Sequence, residues 1–334
     1  MSIKPFIELF RRKQLGAALA ANALHKPFYK LSFVAALADA GLLQRLCAGP
    51  LTFDELADGT AADARSREAL QAWLQMGCRL GLLLHSDRGY TLAGLAKQLA
   101  QPHNDATLAL TQEVAGLHYR LITQTPAKLR RGELWGLDNQ DGELTARSSR
   151  ALEAFQLQAL ERFVPASGRC HLLEIGCGSG IRHAALRNPQ LSAIGLELQE
   201  DVARVAQHNI QLWGLQQRVR IEVGDIRARP AEPAFDLVTL YNNIYYFAVD
   251  ERVALLVKTR ALLRAGGALL LVTCCQGGNL GIEALNLWGA SNAHGGRLPE
   301  LGEMIEQLHQ AGYANVDTMR LIPGDRFYAF HARA

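Results

Sequence analysis

Leu172 to Gly180 reads LLEIGCGSG, an apolar run that closes on an acid and then on three alternating glycines. Leu172, Leu173 and Ile175 have the character of a buried parallel strand, which is covered on both faces and so carries aliphatic side chains without alternation. Gly176, Gly178 and Gly180 allow a sharp turn and let bare backbone N–H groups approach a ligand that any side chain would obstruct. Any strand-to-helix connection can use such a turn, so the surrounding chain must decide between a plain connection and a cofactor site.

Downstream, SAIGLEL (Ser192 to Leu198) reads as a second short strand closing on Glu197. It follows the glycine turn by about 20 residues, where doubly wound folds place the acid that grips a ribose. A nicotinamide dinucleotide would fit that much. Three details point elsewhere. Ile181 stands where a dinucleotide fingerprint needs its last glycine, Glu174 precedes the first glycine by two residues, and VRIEVGDI (Val219 to Ile226) brings a third strand to Asp225. Three successive strands are therefore expected to end in carboxylates.

In type, order and separation these elements resemble the motifs of the class I S-adenosylmethionine (SAM) methyltransferases, matched by Glu174 to Gly180, by Glu197 and by Gly224-Asp225-Ile226. The resemblance implies SAM as cofactor. Gly176, Cys177 and Gly178 would pass along its amino-acid end with Glu174 near the ammonium, and Glu197 would hold both ribose hydroxyls. Asp225 would accept from the adenine amine, with Leu198 and Ile226 on the ring faces, although both also read as plain core residues. The chemistry agrees, since a carboxylate accepts from a diol through both oxygens and suits a sulfonium cation better than an anionic pyrophosphate.

At 334 residues the chain is long enough for about two domains. Its 35 basic and 32 acidic residues nearly cancel to +3, which supplies no strong overall field for nucleic acid or for membrane phosphates, and leaves small molecules as the expected partners. The longest apolar stretches, such as Ala268 to Cys275, fall short of the roughly 18 residues that cross a bilayer. Arg11, Arg12 and Lys13 before LGAALAANAL imitate a signal peptide, but Glu8 lies in the basic region and the helical pattern runs on through Phe28, Leu31, Val34, Leu37 and Leu42. The six cysteines form no C-x-x-C pair and no histidine stands at zinc spacing, so reduced, buried thiols in a cytoplasmic protein without a metal are expected.

Residues 1–105 are rich in Ala and Leu with helical periodicity. Thr52 with Glu55 three residues on forms a capping box, Ser66 to Gly81 carries Leu70, Trp73, Leu74, Gly77 and Leu80 on one helical face, and Gly81 to Leu92 reads as two short strands around Asp87-Arg88-Gly89. Helix, turn, helix and hairpin predict a winged helix. A DNA-binding regulator that senses SAM is the competing reading, opposed by Asp63 and Glu68 among Arg65, Arg67 and Arg79, and by packing residues on the would-be recognition helix. Leu51 to Leu99 resembles the winged-helix dimerisation region of bacterial and plant small-molecule O-methyltransferases, which implies a homodimer and a cover for the substrate pocket.

Residues 106–165 read as connecting helices that roof the pocket, broken at Pro126 and at Gly132 to Gly142; within them His118, Tyr119 and Arg120 are candidate substrate contacts. From 166 to 334 strands and helices alternate and end in a hairpin around Pro323-Gly324-Asp325. The expected fold is thus α/β, a Rossmann-like seven-strand methyltransferase sheet with an N-terminal, mostly helical winged-helix domain.

Ligands in doubly wound folds lie beyond the carboxyl ends of the strands, which makes Y241-N-N-I-Y-Y-F247 the wall of the reaction chamber, with Asn242 counted among the cofactor contacts. Many O-methyltransferases carry V-L-H-D-W here, its His removing the acceptor's proton; this chain has Tyr245 in that place. A phenol, ordinarily titrating near ~10, is a poor base at neutral pH. Tyr245 is therefore expected to orient the acceptor, with His118 or His294 as a base from elsewhere. O-methylation of a small aromatic or heterocyclic metabolite is the first expectation, and N- or C-methylation by positioning alone the second. The segment Gly277 to Gly296, with Asn279, Asn286, Trp288 and His294, is either a specificity loop or a plain surface helix.

Overall fold

The computed structural model describes residues 3–178 and 180–334, so Ser179 of the glycine turn lies outside the described residues. The chain forms two compact units, Met1–Leu117 and His118–Ala334. In the first, helices α1 (Lys4–Arg11), α2 (Leu15–Asp39), α3 (Leu42–Ala48), α4 (Phe53–Ala57) and α5 (Ala64–Arg79) lead into a hairpin, β1 (Leu83–Ser86) and β2 (Gly89–Leu92), followed by α6 (Gly94–Leu99) and α7 (Asp105–Glu113). The core gathers Phe33, Val34 and Leu37 of α2 with Leu42, Leu43, Leu46, Leu56, Leu74, Leu82 and Leu83. Helix α5 approaches α2 through Gly77, where a Cβ would fall 2.4 Å from the Phe33 ring, and Trp73 stacks on that ring at 4.3 Å.

The capping box of Thr52 and Glu55 is present at α4. Helix α5 starts two residues before the predicted Ser66, because Asp63 accepts from the Ser66 N–H in a second box. Among the described residues no single helix is long and apolar enough to cross a bilayer; α2 and α3 pass only as a pair bent by 81°.

The second unit begins with α8 (Tyr119–Arg130), α9 (Gly142–Ser149) and α10 (Glu153–Phe163). Pro126 does not break α8. The carbonyl of Ile122 loses its partner to the missing Pro126 N–H, but both residues are exposed, so water can satisfy it. The helix ends instead at Gly132, with φ +70°. Then follow β3 (Cys170–Ile175), α11 (Gly180–Arg187), β4 (Leu191–Glu197), α12 (Glu200–Leu212), β5 (Val219–Val223), β6 (Phe235–Tyr241), α13 (Arg252–Ala261), β7 (Leu263–Cys274), α14 (Leu280–Ser291), α15 (Leu301–Gln310), β8 (Asn315–Arg320) and β9 (Phe327–Arg333).

The seven strands run in the order β5-β4-β3-β6-β7-β9-β8, parallel except for the antiparallel pairs of β9 with β7 and β8. The order reverses at β3, whose neighbours are β4 on one side and β6 on the other, and that switch opens a crevice at their carboxyl ends. Leu173, Ile194, Val238, Leu240, Leu269 and Leu271 form the sheet's share of the core, packed with Leu255 and Leu256 of α13 and Met304 and Leu308 of α15. All six cysteines are free; Cys170, Cys274 and Cys275 are buried, whereas Cys47 is exposed, contrary to the expectation for every thiol. Cys47 stands on the exposed side of the short helix α3, away from the Leu42, Leu43 and Leu46 contacts.

Candidate functional site

The carboxyl ends of β3, β4, β5 and β6 supply the site. Glu174 is the penultimate residue of β3, fully buried, and in register with Gly195 of β4 and Thr239 of β6. One carboxylate oxygen accepts from the Gly178 N–H at 3.0 Å; the other has no partner among the described residues. Burial pushes this carboxyl up to about 8, against the pull of the Gly178 and Ile181 N–H groups. A Cβ at Gly180 would lie 2.7 Å from the unpartnered oxygen and 2.5 Å from the Tyr241 ring, so the third glycine lets α11 begin against the acid.

Glu197, the last residue of β4, is half-buried and accepts from the Cys177 N–H through one oxygen and the Gln199 N–H through the other, each at 3.0 Å. The expectation of bare N–H groups is thus corrected for this turn. The N–H groups of Cys177 and Gly178 are engaged by the two acids, which would otherwise lie in low dielectric with fewer donors. What the turn presents is two oriented carboxylates with lone pairs remaining. Gly176 takes φ +79° to make the bend. The Cys177 thiol points the other way, onto β4, where a Cβ at Gly195 would meet its sulfur at 2.8 Å; burial pushes that thiol far up, with Glu174 and Glu197 adding to the shift. Gly195 went unread because its partner is fixed only by packing.

Asp225 lies two residues beyond the end of β5, so the third acid follows its strand instead of closing it. Its carboxylate is gripped by Arg227 at 2.7 Å and also accepts from the Arg227 N–H at 2.9 Å; that side-chain hydrogen bond holds it below the usual carboxylate range. Arg227 lies over the Phe247 ring at 5.8 Å. Leu198 is 54% exposed beside Glu197, whereas Ile226 is buried in the sheet core.

Beyond β6, Asn242 adopts φ +51°, one of two non-glycine residues with positive φ among those described, and its N–H donates to Val272 of β7 at 2.8 Å. Strained backbone of this kind marks sites over-determined by their surroundings. Asn243 donates to the Ile175 carbonyl of β3 through its side-chain amide. The side-chain oxygens of Asn242 and Asn243 are both buried and, like the second oxygen of Glu174, have no donor among the described residues. Three acceptors without a donor among the described residues, at or just beyond the ends of adjacent strands, fit a ligand that brings its own N–H donors and a positive charge.

Tyr245 is buried in the 3₁₀ turn Ile244–Tyr246. Its carbonyl accepts from the Gly296 N–H at 3.0 Å, and Cβ atoms at Gly289 and Gly295 would meet it at 3.5 and 2.7 Å. Tyr246 donates to the Gln140 side chain at 3.2 Å. The whole segment is braced by Arg252, fully buried, which donates to the carbonyls of Phe247 at 3.3 Å and Arg297 at 2.6 Å. Burial pulls this guanidinium down to about 10, so it stays cationic at neutral pH. No sequence signal singled out Arg252 or Arg227, whose partners lie in loops.

Gly277 to Gly296 is helix α14 with its flanks. Asn279 caps the helix by accepting from Gly281 and Ile282, Asn286 accepts from Leu298 at 2.9 Å, Trp288 is buried, and His294 is exposed. Trp135 pairs with this end of α14, donating to Ser291 and accepting from Ala293, while its indole donates to Thr125 at 2.8 Å. His118 closes a single π turn, Val114–His118, and is half-buried at the start of the second unit. Among the described residues no group of His, Cys, Asp and Glu is arranged to hold a metal.

Comparison with known proteins adds to this geometry. The family model of a methyltransferase domain matches residues 172–267, from β3 into β7. Demethylspheroidene O-methyltransferase of Cereibacter sphaeroides is 28% identical over 315 residues, covering 89% of this chain and 81% of that protein. The structure of mitomycin 7-O-methyltransferase superposes with a TM-score of 0.76 at 18% identity over 97% of this chain and 99% of that one. The O-methyltransferase NcsB1 of neocarzinostatin biosynthesis, solved with S-adenosylmethionine and 2-hydroxy-5-methyl naphthoic acid, superposes at 0.70 and 20% identity over 91% and 96%.

Proposed function

We propose, from the premise that the chain is a SAM-dependent methyltransferase of class I fold acting on a small molecule, that it O-methylates an aromatic, heterocyclic or conjugated metabolite at the rim of β3, β4 and β6. The observation that carries this reading is the pairing of a fully buried Glu174, one of whose oxygens has no close partner among the described residues, with a Glu197 held by two backbone donors.

In this reading Glu174 and the Asn242 side chain hold the amino-acid end of the cofactor beside Gly176, Cys177 and Gly178. Glu197 receives the ribose diol. Leu198, exposed beside it, covers the base, with Ile226 kept in the core beneath, and Asp225 accepts its amine while shared with Arg227. Bound SAM would supply a methyl group on a cationic sulfur, an electrophile whose sulfur leaves with the bonding electron pair, and an acceptor oxygen would have to give up its proton. The chain's own contribution is alignment in a dry chamber. Tyr245, buried and pinned through its carbonyl to Gly296, orients the acceptor, and His118 is the candidate to take the proton.

The absence of a His at Tyr245 favours a second reading, methyl transfer to nitrogen or carbon by positioning alone. The helix-helix-hairpin of α4, α5, β1 and β2 is taken as a winged helix, and two copies are proposed to associate through the exposed Leu19, Leu24, Phe28 and Tyr29 of α2. Six free thiols support a cytoplasmic setting. Incubation of the protein with isotopically labelled SAM and a panel of phenols, hydroxypolyenes and amines, read by mass spectrometry, tests the reaction. Label on a hydroxyl oxygen is the expected result. Label only on nitrogen or carbon selects the second reading, and no calorimetric binding of S-adenosylhomocysteine would refute both.

A further inference from the structure

Residues 136–142 touch both flanks of the proposed cofactor crevice. The Gln140 side-chain oxygen accepts from the Tyr246 hydroxyl at 3.2 Å, in the turn that follows β6. Two residues on, a Cβ at Gly142 would lie 3.1 Å from the Gln199 side-chain oxygen and 3.3 Å from Val202, near the start of α12, which follows β4. Strands β4 and β6 stand on either side of β3, about 10 Å apart at the usual spacing of neighbouring strands. A chain that reaches both flanks between Gln140 and Gly142 must run across the carboxyl end of β3, above Glu174 and the bend at Gly176.

The segment is braced within itself. The Asn139 side-chain oxygen accepts from the Gly136 N–H at 3.0 Å, and the Asn139 N–H donates back to the Gly136 carbonyl at 3.0 Å. Asp138 folds so closely over Gly136 that a Cβ there would collide with its carboxylate. Both ends are fixed. Trp135 is held by Ser291, Ala293 and Thr125, and Gly142 opens α9, which Asp141 caps by accepting from the Leu144 N–H at 3.0 Å. Between those ends Arg120 donates to the Asn139 carbonyl at 3.2 Å, and Tyr246 donates to Gln140. The Tyr246 ring also packs on Tyr245 with centroids 4.8 Å apart, next to the residue proposed to orient the acceptor.

We propose that residues 136–142 form a strap closed over the cofactor, and that Gln140 is the positioning residue that latches it by accepting from Tyr246. SAM enters and its demethylated product leaves when that hydrogen bond opens. The strap rests on the cofactor reading above and extends it to the exchange step, where lid opening sets the pace of many enzymes. Because the latch joins chain to chain and not chain to ligand, it slows entry and exit alike and leaves the affinity nearly unchanged.

The test is the rate of S-adenosylhomocysteine binding and release by the full-length protein, followed by stopped-flow tryptophan fluorescence. Gln140→Ala and Tyr246→Phe should each raise the association and dissociation rates together by about fivefold, the range of one lost hydrogen bond, with equilibrium affinity within about twofold of wild type. The double variant should be no faster than either single one, because both remove the same bond. All three should keep the wild-type far-UV circular dichroism. Wild-type rates in the Gln140→Ala and Tyr246→Phe proteins overturn the latch and leave the cofactor reading standing. Faster release with unchanged association also overturns it, since Gln140 would then touch the nucleoside itself. No binding of S-adenosylhomocysteine by the wild type overturns the cofactor reading and the strap with it.

Discussion

The proposed cofactor half and the proposed acceptor half of the rim are built in opposite ways. Around β3 and β4 the site is made largely from near neighbours in sequence, Gly178 donating to Glu174 four residues back and Glu197 accepting from Gln199 two residues on, with the Cys177 N–H joining the two strand ends by donating to Glu197. Beyond β6 the wall is assembled from distant segments, with Tyr245 held by Gly296, Phe247 and Arg297 joined by Arg252, and Tyr246 tied to Gln140. A half made of local contacts is suited to a ligand that stays the same. One stitched together by loops can change its acceptor without disturbing the cofactor.

That contrast can be broken most sharply at Glu197. Replacing it with Ala removes a charged, two-oxygen acceptor, and calorimetry should show S-adenosylhomocysteine binding about 100-fold weaker, on the order of 3 kcal/mol. Unchanged affinity would remove Glu197 from the cofactor half.

Glu174 gives the next largest effect, as a pH dependence. With its carboxyl near 8 in the free protein, it is mostly protonated at neutral pH. A cationic ammonium beside it favours the charged form, so cofactor affinity should rise by up to about tenfold per pH unit toward 8 and flatten above, with proton release at pH 7 visible as a buffer-dependent binding enthalpy. Stability runs the opposite way. The folded value lies above the ordinary 4.5, so the folded state holds an extra proton between about 4.5 and 8, and Glu174 costs stability progressively as pH rises through that window. Glu174→Gln should therefore melt at a higher temperature than the wild type at pH 8.5 while binding cofactor more weakly. A lower melting temperature there would contradict the burial argument.

In the acceptor half, Arg252→Lys cannot bridge the Phe247 and Arg297 carbonyls with the same planar fork. Steady-state kinetics should show the acceptor kcat/KM down about tenfold with cofactor affinity unchanged. Tyr245→Phe should likewise keep cofactor affinity and alter turnover by roughly tenfold, in the range of a lost positioning hydrogen bond. The smallest effect is expected at Asp225, already neutralised by Arg227. Asp225→Ala should weaken cofactor binding only about threefold, and a loss as large as that of Glu197→Ala would mean that the Arg227 pair opens on binding.

Reading the sequence located β3, β4, the closing hairpin of the sheet and the three acids, because buried strands, glycine turns and strand-end carboxylates leave local patterns. It misplaced the end of β5 by two residues, and it took Pro126 for a break although α8 runs through it with the freed carbonyl in solvent. Asp63 was weighed only as a charge, while its position three residues before Ser66 makes it an N-cap. Arg252, Arg227 and Gly195 left no signal, since each matters through a partner that the fold brings near.

The amino-acid order alone determined the alternation of strands and helices and the identity of the acids at their tips, since hydrophobic period and turn chemistry act over a few residues. Only the tertiary structure decided that the Cys177 and Gly178 N–H groups would serve Glu197 and Glu174, that one oxygen each of Glu174, Asn242 and Asn243 would be buried without a donor among the described residues, and that a buried arginine would brace the segment beyond β6. Those outcomes depend on desolvation and on contacts across tens of residues, which exist only once the sheet has closed.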